Sequence, residues 1–449
     1  MSDIERPGAL TDARLKQLEK NYEADPVNAV ARHALSRHTL SNVAYVSESI
    51  RLVQPHFSLE LKTMPVANQR MSGRCWIFAG LNVLREAIAK KLGIRKFELS
   101  QNYISLHDKL EKCNFALENF LQLSDREPDD RLLMFLLQDP VGDGGQWDMF
   151  VNLVYKYGVM PQDAFPETAQ SNGTRESSNL AVAEIRRFAY EAHALRKQGK
   201  NIEEIRPLKD KAMGKIYTLF LDCFGVPPER FDFEYEDQKG KYHLLENLTP
   251  KSFFEAYIGD EILDYQSIIN SPTEGKPFLK NYTIDYLGNV LEGRPINHLN
   301  LPMERIEELI IAQLKAGKPV WFGSDVSFFR DRQSFAWNSK SFDYSSLTGI
   351  DPSFEKGAML DFRHSQMNHA MVIVGVDLRE GKPTRWKIEN SWGEDNGLSG
   401  YYVMDEGFFS RFVYQAVIDK KLLSEEERDA ASKEPIHCPP WDPMGSLAD

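Results

Sequence analysis

The run Cys75-Trp76-Ile77-Phe78-Ala79-Gly80-Leu81-Asn82-Val83-Leu84-Arg85-Glu86-Ala87-Ile88-Ala89-Lys90-Lys91-Leu92 restricts the fold of this 449-residue chain more than any other segment. Apolar residues recur along it at helical spacing and Gly93 follows as a stop, so the sequence predicts a helix. The loop Asn68-Gln69-Arg70-Met71-Ser72-Gly73-Arg74 leads into it and places Cys75 in the first turn. Unpaired N–H groups and the helix dipole favour a negative sulfur there. Cysteine attacks as the thiolate, and a free thiol with a pKa of about 8.5 is only slightly ionised at neutral pH. Cys75 therefore reads as a nucleophile. The side-chain amide of Gln69 reads as a donor to an oxygen that gains charge beside it.

A thiolate needs an imidazole to share its proton and a group to orient that imidazole. Of the ten histidines, His107 falls in a helical stretch, and His298 and His364 fall in polar loops. His33, His38, His56, His193, His243 and His437 lie in charged or terminal segments. His369 stands instead at the mouth of a short buried strand, Asn368-His369-Ala370-Met371-Val372-Ile373-Val374-Gly375-Val376. Asn390 follows 21 positions later in Trp386-Lys387-Ile388-Glu389-Asn390-Ser391-Trp392-Gly393, again at a strand end. Its carbonyl can accept the far imidazole N–H, and Trp392 can shield that bond from water.

Each piece alone has an ordinary structural reading, as packing cysteine, structural histidine or turn. Together and in this order, Gln69, Cys75-Trp76, His369-Ala370 and Asn390-Ser391-Trp392-Gly393 resemble the papain-like cysteine peptidases. The resemblance implies an α+β, two-lobed fold and no cofactor. It also gives a reading of Asp139-Pro140-Val141-Gly142-Asp143-Gly144-Gly145-Gln146-Trp147, which lacks the Lys-Ser/Thr ending and preceding strand of a phosphate loop. Gly144 and Gly145 would line the cleft and present backbone to an extended substrate, where a side chain would obstruct the peptide.

Two departures from the papain pattern matter. Secreted enzymes of that type carry a Cys three residues before the nucleophile; here the position is Ser72, followed by Gly73 and Arg74. Only Cys113, Cys223 and Cys438 remain besides Cys75, too few and scattered for a disulfide framework. The start, Met1-Ser2-Asp3-Ile4-Glu5-Arg6-Pro7, has no apolar signal core, and no run approaches transmembrane length. The expectation is a reduced, cytoplasmic enzyme without membrane contact. The second departure is spacing: Cys75 and His369 stand 294 positions apart (369 − 75), against roughly 130–150 in the papain pattern. About 150 residues are inserted on that comparison. The segment before the Gln69 loop is short for an inhibitory propeptide, so control of access must come from elsewhere.

The extra material has its own pattern. Residues 11–40 read as charged helices with Thr11 as a cap and Pro26 as a break, and residues 100–122 as an amphipathic helix capped by Ser100. A helix is expected from Asp148 to Tyr157. Residues 176–224 are helical and densely charged, with an apolar stripe of Ala181, Ile185, Phe188, Ala189 and Ala192 that reads as core. Residues 230–300 suggest short strands and loops, then a helix from Met303 to Ala316 and the strand Pro319-Val320-Trp321-Phe322-Gly323. The resulting division is 1–60 N-terminal helical segment, 61–166 lobe with the nucleophile helix, 167–300 inserted helical and oligomerisation region, 301–420 β lobe with His369 and Asn390, and 421–449 C-terminal arm. A net charge of −12 opposes nonspecific nucleic-acid binding. No zinc spacing is present, and His437-Cys438 is an isolated pair.

After a charged helix near Leu422–Ala431, the arm ends Glu434-Pro435-Ile436-His437-Cys438-Pro439-Pro440-Trp441-Asp442-Pro443-Met444-Gly445-Ser446-Leu447-Ala448-Asp449. Its prolines favour an extended conformation, and Trp441, Met444 and Leu447 form an apolar set that points to docking on the body or on another subunit. The insertion and this tail resemble the bleomycin hydrolase and bacterial aminopeptidase C branch of the papain-like peptidases. That resemblance implies an aminopeptidase whose arm lies in the cleft and whose end, Ala448 or Asp449, meets the free amino group of a peptide substrate. Bleomycin-like amides are a further substrate class on this reading. It also implies a homohexamer enclosing a cavity. The mechanism expected is acyl transfer: thiolate Cys75, paired with protonated His369, forms a thioester, with Gln69 and the Cys75 N–H holding the oxyanion and Asn390 orienting His369. An endopeptidase of the same fold with an open cleft, or a non-catalytic assembly protein that keeps the fold, are the alternatives.

Overall fold

A computed structural model describes residues 7–448. Residues 1–6, read above for a signal segment, and Asp449, read as one end of the arm, lie outside the described residues. No described helix is long and apolar enough to cross a membrane.

Local chemistry sets the helices. Thr11 caps Asp12–Ala24 through a bond from Arg14 N–H, and Pro26 opens the next helix, Pro26–Leu35, at its first turn, where a missing N–H costs nothing. The nucleophile helix runs Cys75–Leu92 and stops at Gly93, which takes φ 69°, a conformation open to glycine without strain. Ser100 caps Gln101–Gln122 by accepting from Tyr103 N–H. The charged insert forms two helices, Arg175–Lys197 and Ile202–Phe224. Ala181, Ile185, Phe188 and Ala192 are buried in the core and Ala189 packs against it, as the stripe predicts.

The main sheet runs, in spatial order, Ile436–Cys438, Lys280–Ile284, His298–Asn300, Tyr265–Ile269, Val413–Asp419, Val320–Ser324, His369–Arg379, Lys382–Glu389, Tyr401–Asp405, Ala336–Trp337 and Arg330–Asp331. Leu59–Glu60 pairs with the middle of the histidine strand. Residues 167–300 thus supply three strands to this sheet beside their helices. One buried apolar cluster joins the nucleophile helix, the insert and the arm; a second fills the β lobe around Phe322, Trp386 and Phe409.

The sequence reading is corrected at three places. Residues 250–257 form a capped helix within the stretch read as strands and loops, with Thr249 accepting from Ser252 N–H. His298, read as a loop residue between asparagines, begins a strand and is wholly buried; its ring bonds Ser267 Oγ at 2.8 Å, and burial pushes its pKa down to about 4. The arm is extended only at Ile436–Cys438, where it joins the sheet in parallel with Lys280–Ile284; Pro443–Ala448 coils into a 3₁₀ helix, with Gly445 N–H bonded to the Asp442 carbonyl. Packing produces that turn: Met444 and Leu447 both reach the core from it.

Candidate active site

Cys75 opens its helix as the first residue and is buried beneath the end of the histidine strand, where its Sγ accepts the Ala370 backbone N–H at 3.4 Å. The residue before Ala370 is His369, so the strand end that touches Sγ is the one that carries the histidine. Asn390 completes the set. Its Oδ1 accepts the Ser391 backbone N–H at 2.8 Å, which fixes that atom as the oxygen. The same oxygen lies 2.8 Å from His369 Nε2, which must then carry the hydrogen. Nδ1 is then the ring nitrogen without a hydrogen, free to accept one. Trp392 stacks on the His369 ring at 5.1 Å and 23°, and covers the bond as its position in the sequence suggests.

Burial governs the charge state. Desolvation pushes the Cys75 thiol up to about 11, partly offset by the nearby N–H groups of Ala370, Trp76 and Cys75 itself, with the Asp143 carboxylate acting in the same direction as burial. His369 is driven down to about 4 by burial, partly offset by Asn390 and reinforced by the positive charge of Arg330. The helix start favours a negative sulfur, as its place in the sequence suggests, but burial works against it and disfavours a lone charge on either group. Arg74, next to the nucleophile, does not help. Its guanidinium turns away into a bidentate pair with Glu167.

Gln69 is held for use as a donor. Its Oε1 accepts from Ser391 Oγ and its Nε2 donates to the Ser72 carbonyl at 2.7 Å, leaving the second N–H of the amide unspent. Ser391 was not singled out from the sequence, although it stands inside the Asn-Ser-Trp-Gly motif that carried the reading.

The glycine loop runs between the helix Gln101–Gln122 and the arm. Lys112, buried, donates to the carbonyls of Gly142 at 2.9 Å and Gly144 at 2.5 Å and pairs with Asp108 at 3.0 Å. Lys109 pairs with Asp143, which also accepts the Gly73 N–H at 2.9 Å. Burial would raise the Asp143 carboxyl, but Lys109 and these hydrogen bonds hold it well below the usual carboxylate range. With the Gly144 carbonyl turned toward Lys112, the Gly145 N–H of the same peptide donates the other way, to Leu447 C=O at 3.1 Å. A Cβ at Gly145 would stand 2.4 Å from the Trp76 ring, so close packing on Trp76 is a second reason for glycine here. Neither buried lysine is legible as a site residue in sequence, because each sits within an amphipathic helix.

The arm lies along this loop. Leu447 and Met444 are buried, Gln146 Nε2 reaches the Met444 and Gly445 carbonyls at 3.4 Å, and Ser446 Oγ donates to Met367 C=O at 3.0 Å. A Cβ at Gly323 would approach Met367 Sδ at 3.0 Å and Leu447 Cδ2 at 3.3 Å, so Gly323 leaves the space that the leucine fills. Trp441 packs edge-on against Phe135 and under the Arg131 guanidinium, 4.0 Å from its ring. Ala448 borders a cavity of about 300 Å³ lined by Phe115, Phe135, Met149 and Leu287.

Residues 9–445 match the Peptidase C1-like family. The chain is 42% identical to aminopeptidase C of Lactobacillus delbrueckii subsp. lactis, with 97% of each chain covered. It is 35% identical to human bleomycin hydrolase over 98% of this chain and 99% of that one. Among solved structures, PepW from Lactobacillus rhamnosis HN001 superposes with a TM-score of 0.95 at 42% identity, covering 98% of this chain and 99% of that one.

Proposed function

The chain belongs to the Peptidase C1-like family, and on that premise we propose that it is a cysteine aminopeptidase, removing single residues from the amino end of peptides. The relatives named aminopeptidase C and bleomycin hydrolase support the activity, and the latter supports amide substrates of the bleomycin type. The observation that carries the exopeptidase reading is the Gly145 N–H bonded to Leu447 C=O. A backbone donor that an extended substrate would use is taken by the arm, and the pocket at Gly323 and Met367 is filled by Leu447. Substrate residues before the first have no room. The end of the arm, through Ala448 or Asp449, then supplies a carboxylate for the substrate's ammonium group, and a charge-assisted pair in a partly desolvated cleft selects for it.

Chemistry follows from the proton inventory. As the thiol proton passes to His369 Nδ1, Cys75 Sγ attacks the carbonyl carbon of the first residue. The carbonyl oxygen gains charge and is met by the free N–H of Gln69 and the backbone N–H of Cys75. The tetrahedral centre collapses as the C–N bond breaks, His369 gives its proton to the departing amine, and a thioester remains. Water, deprotonated by His369, cleaves the thioester, and the proton returns to the sulfur. Asn390 keeps the imidazole tautomer fixed throughout.

We further propose assembly as a homohexamer, supported by the large apolar side chains that the helical regions expose, among them Leu180 at 62% and Tyr190 at 73%; sedimentation that gives a monomer removes this part. The decisive test of the activity compares a peptide bearing a free amino terminus with its N-acetylated twin, with and without a thiol alkylator. Cleavage of the free peptide alone, abolished by alkylation and by Cys75→Ala, is the expected result. Equal cleavage of both peptides refutes the exopeptidase reading, and undiminished turnover by Cys75→Ala refutes the assignment of the nucleophile.

A further inference from the structure

With the arm on the acyl side of Cys75, the leaving peptide must run the other way. His369 protonates the departing amine, so the first residue of the leaving group lies beside the His369 ring, and Trp392, stacked on that ring, forms the adjoining wall. On Trp392 rests a cation. The Arg330 guanidinium carbon is 4.2 Å from the indole centroid and 5.9 Å from the Tyr402 ring. Arg330 comes from the two-residue strand Arg330–Asp331 at the edge of the sheet, and its stem is held there by pairing with Ala336–Trp337. Among the described residues it enters no ion pair, and its buried Nε has no partner. Its charge already acts on His369, whose protonation it opposes. A second cation, the exposed Arg70, follows two residues after Asn68, whose backbone bridges to Trp392.

An arginine laid flat on an aromatic ring loses little freedom when it binds, and its fork matches a carboxylate. The reach is short. Successive Cα atoms are about 3.8 Å apart, so the terminal carboxylate of a di- or tripeptide falls one or two such steps beyond the cleaved bond, within the width of the Trp392 wall. We propose that Arg330 is a specificity-determining residue that binds the C-terminal carboxylate of short peptides, which makes free di- and tripeptides the substrates the site takes best. The inference rests on the aminopeptidase reading for the direction of the leaving chain.

The test uses a tripeptide with a free amino terminus, such as Ala-Ala-Ala, and the same tripeptide carrying a C-terminal amide. Within one enzyme the acid-to-amide ratio of kcat/KM cancels any change that acts on both substrates alike, including altered basicity of His369. The unaltered enzyme should favour the acid about tenfold, the worth of roughly 1.4 kcal/mol at one charge-assisted contact. Arg330→Met, which keeps an unbranched apolar stem against Trp392, should bring the ratio close to one, and Arg330→Lys should retain part of it. The ratio in the unaltered enzyme should also fall as salt is raised from 0.05 to 0.5 M. A ratio near one in the unaltered enzyme, a ratio unmoved by Arg330→Met, or one indifferent to salt overturns the proposal; the salt arm stands even if the variants do not fold. N-acetylated versions of both peptides report separately on the aminopeptidase reading, since their cleavage bears on the amino end alone.

Discussion

Asn390 accepts two N–H groups at one oxygen, from Ser391 and from His369, while its amide nitrogen is buried without a partner. Such an unspent donor is costly in a core and is tolerated here because the oxygen has one task, to hold the imidazole. At this scale the site is a chain of orienting contacts: Ser391 on Gln69, Asn390 on His369, Trp392 over both strand ends. Gln69→Ala should lower kcat by about 10²–10³, the range seen when one oxyanion donor is removed, with thermal stability little changed. Ser391→Ala should cost about tenfold in kcat through the freed amide, equivalent to about 1.4 kcal/mol; a loss as large as that of Gln69→Ala would mean that Ser391 does more than orient. The pH profile carries the sign of burial. Burial pushes His369 down to about 4, so kcat/KM should hold as pH falls and drop only through about 4, where the ring would bind a proton while the thiol keeps its own. On the alkaline side activity should fall above about 8, where a peptide amino group loses the proton that the arm's carboxylate selects. Stopped-time assays across that range check both limbs.

Between elements, the nucleophile helix is tied to the strand Lys382–Glu389 by Arg85, which meets Glu389 at 3.1 Å with both side chains 1% exposed. Asn82, one turn earlier, donates to the same Glu389 oxygen at 2.9 Å. Glu389 precedes Asn390, so this buried cluster sets the spacing between the element that carries the nucleophile and the one that orients the base. Two of the guanidinium nitrogens, Nε and Nη1, have no hydrogen-bond partner, which marks the pair as a device for register more than for stability. Arg85→Met alone should destabilise by about 3–5 kcal/mol because Glu389, whose carboxyl burial already raises, is left buried without its cation, whereas Arg85→Met with Glu389→Met should restore the melting temperature to that of the parent. Calorimetry of the three proteins checks this, and a double variant no more stable than the single one refutes it.

Across the whole molecule, the arm bonds the Gly145 N–H through Leu447 C=O, and on the proposed reading it thereby closes one end of the cleft. Removing residues 441–449 should open that side: N-acetylated peptides should be cleaved at rates approaching those of free ones, and internal bonds should become accessible. Mass analysis of the products of a longer peptide distinguishes the outcomes, and continued release of single amino-terminal residues would show that selection lies elsewhere. The same nine residues contribute Met444 and Leu447 to the core, so some loss of stability should accompany the change in product.

The sequence by itself determined what depends on near neighbours: the helix from Cys75 to its glycine stop, the serine and threonine caps, the strand opening at His369, and the order of Gln69, Cys75, His369 and Asn390. Those features rest on periodicity, capping and turn chemistry, which act within a few residues. The direction in which burial shifts Cys75 came only from the tertiary structure, because desolvation depends on everything packed around the sulfur and works against the helix start. Contacts across the chain also coil the arm on arrival, bring His298 into the sheet, tie Lys112 to the Gly142 and Gly144 carbonyls and Ser391 to Gln69, and set Arg330 over the Trp392 ring. Each of those roles is a contact between segments tens to hundreds of residues apart, and side-chain chemistry alone carries no record of which partner the fold will bring.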